Sequence, residues 1–136
     1  MSPIKGNPDK NSNLRRLPID SPPAEKEVEL SVVIPCLNEE ETIGTCIGVA
    51  LETIRRCGIN GEVVVADNGS TDNSRKIAHA HGARVVTVIE KGYGNALMAG
   101  INAAYGCYIV MGDADASYDF AEIPKFLEKL RSGNSL

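Results

Sequence analysis

Asp113 and Asp115 stand two positions apart, directly after the apolar run Cys107-Tyr108-Ile109-Val110-Met111-Gly112. In an extended segment residues i and i+2 project to the same side. Their carboxylates therefore lie side by side and repel unless a proton or a cation sits between them. Magnesium or manganese, bound by one or two carboxylates with phosphate oxygens completing the shell, suits this arrangement. An isolated Asp-x-Asp can equally be a solvated acidic turn; its place at the end of an apolar strand favours the metal. Asp67 ends another such run, Glu62-Val63-Val64-Val65-Ala66. Its carboxylate can accept hydrogen bonds from a nucleobase or ribose, or open an Asx-turn into Asn68-Gly69-Ser70. Glu39 can serve a ligand hydroxyl or favour the positive end of a following helix. Lys91-Gly92-Tyr93-Gly94 brings a cation and exposed backbone toward a phosphate, or is a glycine turn into a helix. His79 and His81 read as surface residues, Tyr93 and Tyr118 as packing aromatics, and Asp119 and Glu122 as residues favouring a helix start.

These residues need a scaffold, and the pattern from Glu29 onward supplies one. Short β-branched runs alternate with helical periodicity. The spacing predicts strands over Leu30–Ile34, Glu62–Ala66, Arg84–Ile89 and Cys107–Met111. Ile43, Ile47, Ala50, Leu51 and Ile54 mark the first helix, with Asn38 as N-cap, Glu41 completing a capping box and Gly58 as the stop. A short helix is expected over Thr71–His81, closed by Gly82. Leu97, Ile101, Ala104 and Tyr105 stripe a third, ended by Gly106. Ile123, Phe126, Leu127 and Leu130 stripe the last, with Pro124 in its first turn. Four βα units at short spacing imply an open α/β sheet, mostly parallel, with helices on both faces. Ligands in such sheets sit beyond the carboxyl ends of the strands. That rule selects the loops carrying Glu39, Asp67, Lys91 and the Asp113/Asp115 pair.

Composition narrows the function. The chain has 136 residues, 43% of them hydrophobic, with a formal net charge of -4. An acidic chain lacks the basic stripe that duplex binding needs, so nucleic acid is not an expected partner. No apolar run reaches the roughly 18 residues of a membrane span, and no secretory or twin-arginine signal is present. Four cysteines without a Cys-x-x-Cys, beside two histidines, argue against zinc or redox chemistry. They read as reduced thiols packed as small apolar residues, hence a cytoplasmic compartment. Five of the seven prolines precede Val28. Residues 1–28 therefore read as a disordered Pro-rich tail with at most local turns, and 29–136 as the folded domain.

Three stretches together resemble a known family: Ser31-Val-Val-Ile-Pro-Cys-Leu-Asn-Glu39, Glu62-Val-Val-Val-Ala-Asp-Asn-Gly-Ser-Thr-Asp72 and Gly112-Asp-Ala-Asp115. Over residues 30 to 132 the chain resembles family 2 glycosyltransferases of the GT-A fold, in particular polyprenyl-phosphate and dolichol-phosphate sugar transferases. The resemblance implies a UDP- or GDP-hexose donor, Mg2+ or Mn2+, and a lipid-phosphate or glycan acceptor. By position, Pro35, Leu37 and Glu39 would line the nucleoside pocket and Asp67 would contact base or ribose. Asp113 and Asp115 would form the metal-diphosphate motif, Asp115 the direct ligand. Ala116 stands where close relatives often carry another acidic residue, a departure that weakens the expected metal affinity. The acceptor half and the catalytic base are not expected within this chain, which reads as a truncated N-terminal half, inactive alone; in the full-length enzyme it would lie peripheral to the membrane. The alternative is a non-catalytic nucleotide-sugar-binding module or a half-enzyme needing a partner chain. Ending after the fourth α/β unit would leave the strand before Asp113 as an exposed edge, inviting dimerisation. A dinucleotide oxidoreductase lacks its glycine-rich turn after the first strand. A haloacid-dehalogenase-like phosphatase would need catalytic residues beyond the few that follow Ser117.

Overall fold

The structure is a computed structural model that describes residues 2–5, 27–117 and 119–133. Its elements are β1 (Ser2–Lys5), β2 (Leu30–Cys36), α1 (Ile43–Arg56), β3 (Gly61–Asp67), α2 (Ser74–Ala80), β4 (Arg84–Thr87), α3 (Tyr93–Ala103), β5 (Tyr108–Met111) and α4 (Ile123–Arg131). A 3-10 turn over Phe120–Glu122 leads into α4. The sheet order is β1-β5-β2-β3-β4. β5, β2, β3 and β4 run parallel, and β1 alone is antiparallel.

The central strands are β-branched on both faces because both faces are covered. Val32, Ile34, Val63 and Val65 pack with Ile43, Ile47 and Ile54 of α1, Ala78 of α2, and Ile123 and Leu127 of α4. Val33, Val64 and Ile109 meet Leu97 and Ile101 of α3 on the opposite face. From β2 the chain builds outward through β3 and β4, then returns through β5 to the other side of β2. The connection therefore reverses between β2 and β5, the position where open α/β sheets leave a crevice at their carboxyl ends.

The strand expected over Leu30–Ile34 runs on through Pro35 to Cys36. The β2–β5 ladder stops at Val33↔Met111, and the Val33 carbonyl faces β5, where it accepts from Gly112 N at 3.1 Å. Pro35 shares that direction one pleat later, beyond the ladder, so its missing N–H leaves no bond unmade. The start of α1 also differs. The helix begins at Ile43, with Thr42 as N-cap and no side-chain cap bond. Asn38 adopts φ 52 and its side chain bonds another loop. Gly58 at φ 66 ends α1 as expected. α2 begins later than expected, because residues 71–73 are bonded into that same loop pairing.

Two expectations about the N-terminal segment need correction. Ser2–Lys5 is a strand, in register with β5 from Ser2↔Met111 to Lys5↔Tyr108. β5 is thus paired on both sides, by β1 and β2, and is not the exposed fourth-strand edge through which a dimer or partner chain was expected. A four-residue strand containing a proline carries no periodic signal, and its partner is more than a hundred residues away. Residues 6–26, the rest of the expected tail up to Glu27, lie outside the described residues, as does Tyr118. The core begins at Val28, which is buried.

Candidate functional site

A cleft of about 420 Å³ opens at the carboxyl ends of β2, β3 and β5. Pro35, Leu37, Glu39, Lys91, Asp113 and Asp115 all line it, so six of the residues singled out from sequence meet in one place. β2 delivers Pro35 and the loop after it delivers Leu37, half exposed at 51%, and Glu39. Lys91 comes from the β4–α3 loop, and the aspartates from the end of β5. Gly112 makes the last placement possible. A Cβ there would lie 2.4 Å from the Phe120 ring, so only a glycine lets β5 pass this close to the turn before α4.

Asp67 takes a different place. It does not line the cleft; its side chain is fully buried behind it. Oδ1 accepts from Ser70 Oγ at 2.6 Å, and Oδ2 accepts from Ser70 N at 3.0 Å and Gly69 N at 3.2 Å. Arg75 Nε approaches Oδ2 at 3.6 Å. This is the Asx-turn alternative. Its neighbour Asn68, which sequence reasoning passed over, faces the cleft. Asn68 Nδ2 donates to Glu90 O at 2.8 Å and Val88 O at 3.3 Å, and its Oδ1 accepts from Gly92 N at 2.8 Å. One amide thereby fixes the loop that carries Lys91.

The first two motifs also bind each other. Asn38 N donates to Ser70 Oγ and Glu39 N to Ser74 Oγ, both at 2.9 Å. Glu40 N donates to Asp72 Oδ2 at 3.2 Å, while Thr71 N donates to Asn38 Oδ1 at 2.8 Å. The Ser74 hydroxyl, first among the causes, holds the Asp72 carboxyl below its ordinary range. These polar residues hold the β2 and β3 loops together and so set one wall of the cleft.

At the opposite wall Tyr93 Oη donates to Asp113 Oδ1 at 2.9 Å. Tyr93 is 60% exposed, so it spans the cleft mouth rather than packing inside, contrary to expectation. Asp115 Oδ1 accepts from Ser117 Oγ at 2.5 Å and Ser117 N at 3.0 Å. The Ser117 hydroxyl, then its N–H, lower the Asp115 pKa, so the carboxylate is charged at neutral pH. Among the described residues no group of three or more His, Cys, Asp or Glu gathers into a closed cage. The donor set still fits a hard divalent cation. Asp113 and Asp115 each commit one oxygen to the chain, and such ions take one or two carboxylates beside phosphate and water oxygens.

Other candidates fall elsewhere. His79 and His81 are exposed. Asp119 Oδ1 accepts from Ala121 N at 2.9 Å to open the turn before α4, and Glu122 pairs with Lys125 at 3.2 Å. All four cysteines are free thiols. Cys36 and Cys46 are buried, and burial pushes both thiols up in pKa, which favours the protonated thiol over the thiolate. Cys57, just past α1, is exposed rather than packed. Among the described residues no helix is long and apolar enough to cross a membrane.

Known proteins share this fold and much of this sequence. A low-salt glycan biosynthesis hexosyltransferase of Haloferax volcanii is 48% identical over 106 residues, which is 78% of this chain and 25% of that protein. The dolichyl-phosphate beta-glucosyltransferase of Mus musculus is 34% identical over 114 residues, covering 74% of this chain and 35% of that one. A crystal structure of glucosyl-3-phosphoglycerate synthase from Mycobacterium tuberculosis, in complex with Mn2+, UDP-glucose and phosphoglyceric acid, superposes with a TM-score of 0.66 at 32% identity. That match covers 77% of this chain and 40% of the synthase. The chain thus spans between a quarter and two fifths of the length of these proteins. The model of the family described as Glycosyl transferase family 2 matches residues 31–136. With that match over more than half its length, on a sheet shared with GT-A glycosyltransferases, the chain belongs to glycosyl transferase family 2.

Proposed function

We propose that this chain is the donor-binding half of a glycosyltransferase that moves a hexose from a UDP- or GDP-sugar to a polyprenyl-phosphate or glycan acceptor. The observation that carries the reading is the Asp113–Asp115 pair at the tip of β5, set in the switch-point cleft with Lys91, Glu39, Pro35 and Leu37. A nucleoside diphosphate matches this lining. Pro35 and the exposed face of Leu37 offer apolar area to a base, Glu39 an acceptor for a sugar or ribose hydroxyl, and Lys91 a cation for a phosphate. Asp113 and Asp115 would hold Mg2+ or Mn2+, whose chemistry is to neutralise charge growing on a departing diphosphate. Asp67 serves the site from behind, by fixing the loop that carries Asn68.

The named activities of the relatives support the class of reaction, and the manganese and UDP-glucose of the mycobacterial synthase support the donor and the metal. The chain's own residues supply binding and orientation; none is assigned as the base that deprotonates an acceptor. Purified alone, the 136-residue chain is expected to bind donor with little or no transfer. A second reading of the same cleft, whose lining includes no residue assigned as a base, is a nucleotide-sugar-binding module that turns over only with a partner chain. A cytoplasmic site of action, peripheral to the membrane, belongs to the same proposal.

Titration calorimetry with UDP and GDP, with and without manganese, tests the reading. Wild-type chain should bind one of them more tightly with manganese present, and Asp115→Ala should lose only that increment. Unchanged binding in the variant overturns the metal assignment. Transfer by the chain alone overturns the expected inactivity, and turnover only after mixing with a second chain selects the module.

A further inference from the structure

The residue between the two aspartates lines the cleft wall but is almost wholly buried. Ala114 is 3% exposed, and its carbonyl accepts a hydrogen bond from Thr42 Oγ1 at 2.5 Å. The Cys46 thiol, one helical turn further along α1, lies 3.6 Å from the same oxygen. Thr42 is the N-cap of α1, yet its side chain makes no cap bond to its own helix. Its hydroxyl also reaches Glu39 Oε2, but only at 3.4 Å. The short bond is therefore the one that leaves the helix and crosses 72 positions of sequence to the β5 loop.

The loop it holds is not relaxed. Ala116 has φ 66, and apart from Asn38 it is the only non-glycine residue with positive φ among the described residues. L-residues avoid that region, and chains keep it where surrounding contacts fix the backbone, commonly at functional sites. On the cleft side Tyr93 Oη holds Asp113 and Ser117 holds Asp115, one carboxylate oxygen each. On the buried side the Ala114 carbonyl is the anchor, and Thr42 is its strong donor. Threonine suits the task because branching at Cβ restricts χ1 and keeps the hydroxyl aimed.

We infer that Thr42 is a positioning residue for the Asp113–Asp115 pair: by pinning the peptide between them to α1 it sets the separation and direction of the two carboxylates, and so the affinity for a divalent cation bound together with a nucleoside diphosphate. The inference rests on the donor-site reading above. It assigns Thr42 no contact with ligand. The hydroxyl acts through the Ala114 carbonyl, so its effect falls on the metal-dependent part of binding and spares the nucleoside contacts at Pro35 and Leu37.

The test uses the full chain and UDP, titrated in MnCl2 and again in EDTA, with free manganese followed by its paramagnetic resonance signal. Thr42→Val removes the hydroxyl at nearly constant size. It should weaken manganese binding in the presence of UDP about tenfold, the scale of one lost hydrogen bond. UDP binding in EDTA should stay within about twofold. Thr42→Ser, which keeps the donor, should restore most of the manganese affinity. Thr42→Ala meets the same expectation should the valine variant fail to fold. Manganese affinity unchanged in the folded variants overturns the inference, and so does an equal loss of UDP binding in EDTA and manganese, which would mark a general collapse of the loop. If wild-type chain itself shows no manganese-dependent UDP binding, the donor-site reading fails first and separately.

Discussion

Asp67→Asn separates two roles that the sequence leaves open for one residue, a contact to nucleotide or a strut behind the cleft. The structure allows the cost of the strut to be worked out. The asparagine oxygen can take the place of Oδ2 and still accept from Ser70 N and Gly69 N, now without charge assistance. Hydrogen bonds to charged groups contribute about 1.5–3 kcal/mol against about 1 for neutral ones, so these two bonds lose roughly 1–4 kcal/mol together, the lower half being expected because both share one oxygen. The amide NH2 then faces Ser70 Oγ, which already accepts from Asn38 N at 2.9 Å, and the serine proton loses its acceptor. The Arg75 pairing at 3.6 Å goes as well, although half of Arg75 lies in water and little is lost with it. A total near 2 kcal/mol follows, or about 8 °C in melting temperature for a domain of this size. Circular dichroism melts and UDP calorimetry read the two quantities side by side. The strut predicts the melt to drop by that amount while UDP affinity changes by less than about threefold. A Ser70→Ala variant should lower the melt too, and the double variant should fall short of the sum because both remove one bond. A melt within about 2 °C of wild type, with UDP affinity down by more than about thirtyfold, would refute the reasoning and make Asp67 a ligand contact.

Gly112→Ala places a methyl 2.4 Å from the Phe120 ring; overpacking of this kind should destabilise by about 1–3 kcal/mol, visible as a lowered urea midpoint with unchanged slope. Glu29 bonds Arg131 through both its oxygens, at 2.5 and 2.6 Å, and Arg131 lowers its pKa from 4.5. A depressed carboxylate pKa contributes stability that is present above the unfolded value and lost as pH falls through the folded one. Glu29→Gln should therefore be less stable than wild type at pH 7 by under about 1 kcal/mol, the pair being partly exposed. That gap should close below pH 4.5, and a constant gap in urea titrations across pH would exclude the linkage. Deleting Met1–Lys5 removes β1 and bares the outer edge of β5; light scattering should then show association absent from the full chain, and identical scattering would show that β1 is not what protects the edge.

The scaffold is legible because it rests on short-range pattern. Val32, Val33 and Ile34, or Val63, Val64 and Val65, announce a strand buried on both faces without reference to anything distant, and the α1 stripe from Ile43 to Ile54 announces its own helix. Strand order then places the cleft, and six of the candidate residues line it. What escaped the sequence is decided across distance. Asn38 looks like an N-cap, with Glu41 at the right spacing, but its backbone is left-handed and its amide is taken by Thr71, 33 positions on. Asp67 and Asn68 are neighbours at a strand end, where successive side chains point opposite ways; nothing local says which one turns to the cleft. Thr42, which holds the Asp113–Asp115 peptide, bears no mark in sequence except a hydroxyl at the start of a helix, where capping is the default explanation.

These cases share one physical distinction. Asp67, Asn68, Asn38 and Asp72 carry as much polar chemistry as Lys91, Glu39, Asp113 and Asp115, but each is committed through its side-chain oxygens to bonds within the chain. A polar group spent in this way fixes a loop and has little left for a ligand. Lys91 and Glu39 reach the cleft with side chains that the chain does not consume in close bonds, and Asp113 and Asp115 keep one oxygen each beyond those given to Tyr93 and Ser117. The family motifs therefore hold two populations of residue. Substituting the first should lower stability more than affinity, and substituting the second should lower affinity at nearly constant stability. Asp67→Asn and Asp115→Ala, taken from two of the motifs that carried the resemblance, stand on opposite sides of that division.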